Sequence, residues 1–132
     1  MYLDSSAIVK LVVTEPESGA LRSHLSRRRP LATSALARTE VARAVLSLGP
    51  AAVRRGEEVL QRMQVLRVTD RVLVAAGSMW PANLHSLDAI HLASAMQLGA
   101  TLRGVVTYDV RTADAARSIG WSVASPGQRR AA

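Results

Sequence analysis

Five carboxylates in this sequence fall where an acid is hardest to explain by surface chemistry alone. Asp4 directly follows the apolar run Met1 to Leu3, and Asp109 directly follows LRGVVTY, the clearest strand signal in the chain. Glu40 and Asp88 sit inside helical patterns, and Asp114 lies one turn beyond Asp109. Each has an ordinary explanation taken singly. Asp4 can cap the helix it precedes, Glu40 can pair with Arg43 at i+3, and Asp109 can open the turn YDVR or cap the next helix. Asp88, two positions after a Ser86 cap, can serve the helix dipole.

Taken together, two strand ends and two crossover helices converging on one rim would bring four acids within a few ångströms. Such a cluster repels itself and needs a cation. With no cysteine in the chain and no histidines at metal-ligand spacing, the donors are all oxygen, which points to Mg²⁺ or Mn²⁺ and away from zinc. A hard divalent ion activates water and stabilises the attacking and leaving oxygens of a phosphodiester. The remaining acids, Glu15, Glu17, Glu57, Glu58 and Asp70, read as helix starts and solvated faces beside arginines.

The other reactive side chains carry weaker signals. His91, three residues after Asp88, reads as a packing residue within an apolar helix, and His24 and His85 read as surface or loop residues. Trp80, Trp121, Tyr2 and Tyr108 are too scattered for a base-stacking platform and read as core or interface residues. P-loop, dinucleotide and nucleophile-elbow motifs are absent.

The elements that must deliver these acids alternate between strand and helix. After Met1 to Leu3, SSAIVKLVV is helical until Pro16, and a second helix is predicted over Glu17 to Arg28. LATSA (Leu31 to Ala35) and VLRVT are short strands, separated by ALARTEVARAVLSL and AAVRRGEEVLQRM, two helices that meet at Gly49-Pro50. DRVLVAAGSM is a helix, WPANLHS a loop, and the helix from Ser86 runs to Gly99. LRGVVTY, the helix VRTADAARSIG and an edge strand WSVAS complete the order, leaving a tail expected to fray from residue 127 to 132. This alternation predicts a three-layer α/β/α sandwich with a mostly parallel sheet, in a single domain over residues 1–126. Ligands in such folds gather outside the carboxyl ends of the strands.

The charge balance narrows the partners. Seventeen basic residues, sixteen of them arginine, face ten acids, a net charge of +7 that favours polyanions and phosphate in particular. The absence of cysteine, of a secretory leader pattern and of any long apolar run predicts a soluble, cytoplasmic protein.

Four segments together resemble one family. YLDSSAIVKL, TSALARTEVARA, SLDAIHLASAMQLGA and VVTYDVRTADAARSIGWSV are similar, in order and separation, to the successive motifs of PIN-domain nucleases, and the short chain resembles their VapC-type toxins. The resemblance implies a Mg²⁺- or Mn²⁺-dependent ribonuclease with Asp4, Glu40, Asp88 and Asp109 as its acids. Asp114 is the alternative or supplement to Asp109. Ser5 or Ser6, and Thr107, match small hydroxyls that position a carboxylate or water. Arg43, Arg103 and Arg111, by their proximity to the motifs, are the expected contacts to RNA phosphates. A homodimer and a cognate VapB-type antitoxin that blocks the acids are implied as well. The competing reading is a non-catalytic RNA- or protein-binding module whose acids dock a partner's arginine.

Overall fold

The computed structural model describes residues 1–129. Five short strands form its sheet: β1 (Tyr2–Leu3), β2 (Ala32–Ser34), β3 (Gln64–Leu66), β4 (Val105–Val106) and β5 (Val123–Ala124). All pairings are parallel, in the order β3-β2-β1-β4-β5. The chain therefore winds outward from β1 to β3, then returns to β4 on the other side of β1. That reversal places a topological switch point between β1 and β4, where open α/β sheets part to leave a crevice.

Residue alternation on the strands divides the core in two. Leu3 and Val106 pack with Ala7, Ile8, Val41 and Leu60, against the layer made by α1 (Ser5–Val12), α2 (Ser18–Leu25), α3 (Leu36–Val45) and α4 (Pro50–Gln61). Tyr2 and Val105 face the opposite way and pack with Ala95, on the side of α6 (Ser86–Met96), which lies between α5 (Asp70–Gly77) and α7 (Val110–Ser118). The predicted three-layer parallel sandwich is the observed one.

Several boundaries differ from those the sequence predicts. The apolar run LRGVVTY is strand only at Val105–Val106: the Thr107 N–H still donates to Ala124 at 3.2 Å, but the Thr107 hydroxyl and the Tyr108 N–H turn to Asp4 and Ser6 at the rim. The third strand begins at Gln64 and stops before Arg67, and the second helix ends at Leu25, followed by a turn in which Arg28 bonds back to His24. Ser86 is not the cap of α6. His85 occupies that position, in extended backbone, and makes no side-chain capping bond. Trp121 packs against the core, whereas Trp80 is 76% exposed in the loop before α6. After β5 the chain turns at Gly127, and Gln128 donates through its backbone N–H to Ser125. Residues 130–132 of the expected tail lie outside the described residues.

Candidate active site

Asp4 stands at the carboxyl end of β1, 4% exposed, and caps α1 through a 3.1 Å hydrogen bond from the Ala7 N–H. Two hydroxyls add to this. Ser6 Oγ donates to Oδ1 at 2.6 Å, and Thr107, at the end of β4, donates to Oδ2. Ser6 also accepts the Tyr108 N–H at 2.9 Å, and Thr107 accepts the Asp109 N–H at 3.1 Å. The ends of the two central strands are thus laced together through Asp4. Burial pushes the Asp4 carboxyl above the usual range, and its hydrogen bonds offset only part of that effect.

Asp88 lies in the first turn of α6, which brings it to the same rim from the other layer. Its pKa is raised, first by burial and then by the like charges of Asp109 and Asp4. Asp88 therefore lies within electrostatic reach of both other aspartates. Asp109 caps α7 by accepting the N–H groups of Arg111 (2.8 Å) and Thr112 (3.1 Å), so its capping role and its place at the rim coexist. Asp114 faces outward, with its side chain 71% exposed and 3.6 Å from Arg117.

Glu40 reaches the rim from α3, and its surroundings differ from those of the aspartates. It does not pair with Arg43. Instead, Ser5 Oγ donates to Oε1 at 2.7 Å and His91 Nε2 lies 2.6 Å from the same oxygen. Burial acts to raise the Glu40 pKa, but the bonds from His91 and Ser5 outweigh it, and the net shift is downward. His91 is buried, as its apolar helix suggests, yet it is not simply a packing residue, since Nδ1 lies 2.7 Å from the Tyr2 hydroxyl. Burial raises the Tyr2 pKa, with the Asp4 charge adding to it, so the phenol keeps its proton.

Sequence reasoning missed Tyr2 and His91 as members of this network. A signal for them exists. In a helix whose interior is otherwise alanine and leucine, His91 and Ser94 are the buried polar residues; Ser94 bonds back to the Ile90 carbonyl, whereas a buried imidazole needs partners from other elements.

Arginines divide by position. Arg111 Nη1 lies 3.1 Å from His85 Nε2, and His85 Nδ1 lies 3.9 Å from Asp88 Oδ2. A guanidinium only donates, so Nε2 accepts and Nδ1 carries its proton toward Asp88. Arg43 is exposed on α3 three residues past Glu40. Arg103 is misplaced by the proximity argument, because it precedes β4 beside the Met1 amino group, at the amino edge of the sheet opposite the acids. Lys10, the lone lysine, is taken up by Glu15 (2.8 Å) and Glu17 (3.0 Å) and lies over the Tyr108 ring.

Among the described residues, no three or more histidine, aspartate or glutamate side chains stand close enough together to hold a metal ion as they are placed. The donor chemistry nonetheless suits a hard ion, since Asp4, Asp88 and Asp109 offer only oxygen and Asp88 feels the like charges of the other two. Mg²⁺ dehydrates reluctantly, keeps several waters and needs only one or two direct carboxylates, so an open rim of this kind fits it better than a cage would.

Comparison with known proteins places these residues in a family context. Residues 1–118 match the model of the PIN domain. Ribonuclease VapC46 of Mycobacterium tuberculosis is 52% identical over 126 residues, which cover 96% of this chain and 97% of that protein. Ribonuclease VapC47 of the same species is 40% identical over 135 residues, covering 98% and 99%. Two solved structures share the fold at 18% identity: a toxin-antitoxin complex from Klebsiella pneumoniae and the sarcin-ricin loop cleaving toxin VapC20 of M. tuberculosis. Their TM-scores are 0.72 and 0.70, with 95% of this chain covered in each case and 96% and 98% of theirs.

Proposed function

The chain belongs to the PIN-domain family, and from that premise we propose that Asp4, Glu40, Asp88 and Asp109 form the active site with which it cleaves RNA. It is a VapC-type ribonuclease, the toxin of a toxin-antitoxin pair. The observation that supports the assignment best is the delivery of Asp4, Asp88 and Asp109 to the rim at the switch point of the sheet, where burial first and the like charges of Asp109 and Asp4 next raise the pKa of Asp88. A fold selected for stability alone would separate them.

In this reading, Asp4 and Asp88 hold Mg²⁺, or Mn²⁺ in its place, with Asp109 completing the set in preference to the outward-facing Asp114. The bound ion supplies charge neutralisation at the phosphate and makes water more acidic. Ser6 and Thr107 keep the Asp4 carboxylate in one orientation, Glu40 stays ionised, and Arg111 holds the RNA backbone beside the acids. The products are the two RNA fragments of a hydrolysed phosphodiester.

Residues 1–126 constitute the single PIN domain of this proposal. The protein acts in the cytoplasm; no described helix is long and apolar enough to cross a membrane. It pairs with a VapB-type antitoxin that covers the acids, and it dimerises through apolar side chains left exposed on the α5 and α6 side, such as Leu73, Val74 and Met96.

Cleavage of a structured RNA, followed with Mg²⁺, with Mn²⁺ and with chelator, tests the assignment. Asp4→Asn, Asp88→Asn and Glu40→Gln are each expected to lower kcat by at least ~100-fold while the protein stays folded. Metal-dependent cleavage at the parental rate by folded Asp88→Asn would remove that residue from the site.

A further inference from the structure

Behind Glu40 lies a relay that the family's four acids do not account for. A carboxylate oxygen only accepts, so His91 Nε2 carries the proton it shares with Glu40 Oε1 across 2.6 Å. Nδ1 is then free to accept the Tyr2 hydroxyl at 2.7 Å. Neither ring can swing away: Tyr2 is fully buried, His91 is 2% exposed, and the two rings meet edge to face at 5.9 Å. Ser5 donates to the same Oε1 from α1. Among the described residues, Oε2 receives no hydrogen bond.

We propose that Tyr2 and His91 are positioning residues that present Glu40 to the rim with Oε2 as its single open oxygen. The proposal rests on the assignment of Glu40 to the active site. Stability alone does not call for this arrangement. A buried imidazole bonded to a part-buried carboxylate gives up hydration that an apolar side chain of similar volume would never need, and replacement of buried ion pairs by apolar groups is commonly neutral or stabilising. The strand and the helix are instead joined through a polar line that ends on Glu40 Oε1, where the side chains of Ser5 and His91 both meet, whereas Asp109 is held by backbone N–H groups alone. Groups that orient a ligand in this way typically change metal affinity or activity by roughly 10–100-fold when removed.

The test compares His91→Leu, His91→Gln and Tyr2→Phe in the full chain. Glutamine can place an amide N–H near the position of Nε2–H, whereas leucine cannot. His91→Leu is expected to lower kcat roughly 10–100-fold with KM for RNA within about twofold, and to weaken binding of Mn²⁺ alone, read by calorimetry, by about tenfold. His91→Gln is expected to recover most of both losses, and Tyr2→Phe to lower kcat about threefold to tenfold. A folded His91→Leu that cleaves RNA and binds Mn²⁺ like the parent overturns the proposal, as does equal impairment of the leucine and glutamine variants. If His91→Leu does not fold, Tyr2→Phe decides, and an unchanged kcat overturns the relay. Glu40→Gln keeps the two assignments apart. Full activity in that variant removes Glu40 from the site, whereas its inactivity beside an unaffected His91→Leu removes only the relay.

Discussion

Asp88 and Glu40 carry the same charge at the same rim, and their surroundings push them in opposite directions. Asp88 is raised by burial and by Asp109 and Asp4, so without a cation its ionised form is less favourable in the folded protein than in the unfolded chain. Its contribution to stability is complete below the ordinary aspartate pKa and is lost as pH rises through the raised value. Glu40, held below its usual value by His91 and Ser5, contributes stability that is present above the ordinary glutamate range and lost as pH falls through the lowered value. In chelator at neutral pH, Asp88→Asn should therefore raise Tm by ~3 °C, the gain shrinking as pH falls through the raised value toward the ordinary aspartate range. Glu40→Gln should lower Tm under the same conditions. Thermal melts across this pH interval check both signs. A fall in Tm for Asp88→Asn at neutral pH would mean that Asp88 serves the helix more than the site.

At the scale of elements, the site exists because β1 and β4 end side by side and are tied together by Ser6, the first-turn residue of α1 that bonds both Asp4 and the Tyr108 N–H. Ser6→Ala gains a few tenths of a kcal/mol in helix propensity but leaves the Tyr108 N–H without its partner, for a net loss of about 1 kcal/mol. Denaturant unfolding measures this loss. Initial rates should show kcat falling about tenfold with KM little changed, because Asp4 loses one of the groups that orient it. The order of elements was legible in the sequence from strand-helix alternation, and the acids stood out because two of them follow apolar runs directly. What the sequence did not disclose were contacts set by tertiary register. His91 meets Glu40 only once β1 has placed Tyr2 against α6, and Arg103 is close to Asp109 in sequence but separated from it by the length of β4. Strand ends also escaped, since at Tyr108 the rim takes a backbone N–H that an apolar pattern would assign to the ladder.

For the whole molecule, the decisive contrast is a net charge of +7 surrounding a rim of carboxylates. The surface charge brings RNA in, whereas the acids repel it until a cation is present, so capture and chemistry depend on different residues. Capture by arginine releases counterions from the RNA, and log affinity falls with log salt by roughly 0.7 for each single-stranded phosphate neutralised. Arg111, beside the acids and linked to His85, is placed to neutralise one of them; Arg103, at the opposite edge, is not. RNA binding by a cleavage-dead Asp88→Asn background, titrated from about 50 to 200 mM salt, should show a slope shallower by about 0.7–1 when Arg111→Ala is added. The same background carrying Arg103→Ala should keep the parental slope. An equal loss from both substitutions would mean that RNA is held by the diffuse field of the molecule and that its register over the acids is set by the rim itself.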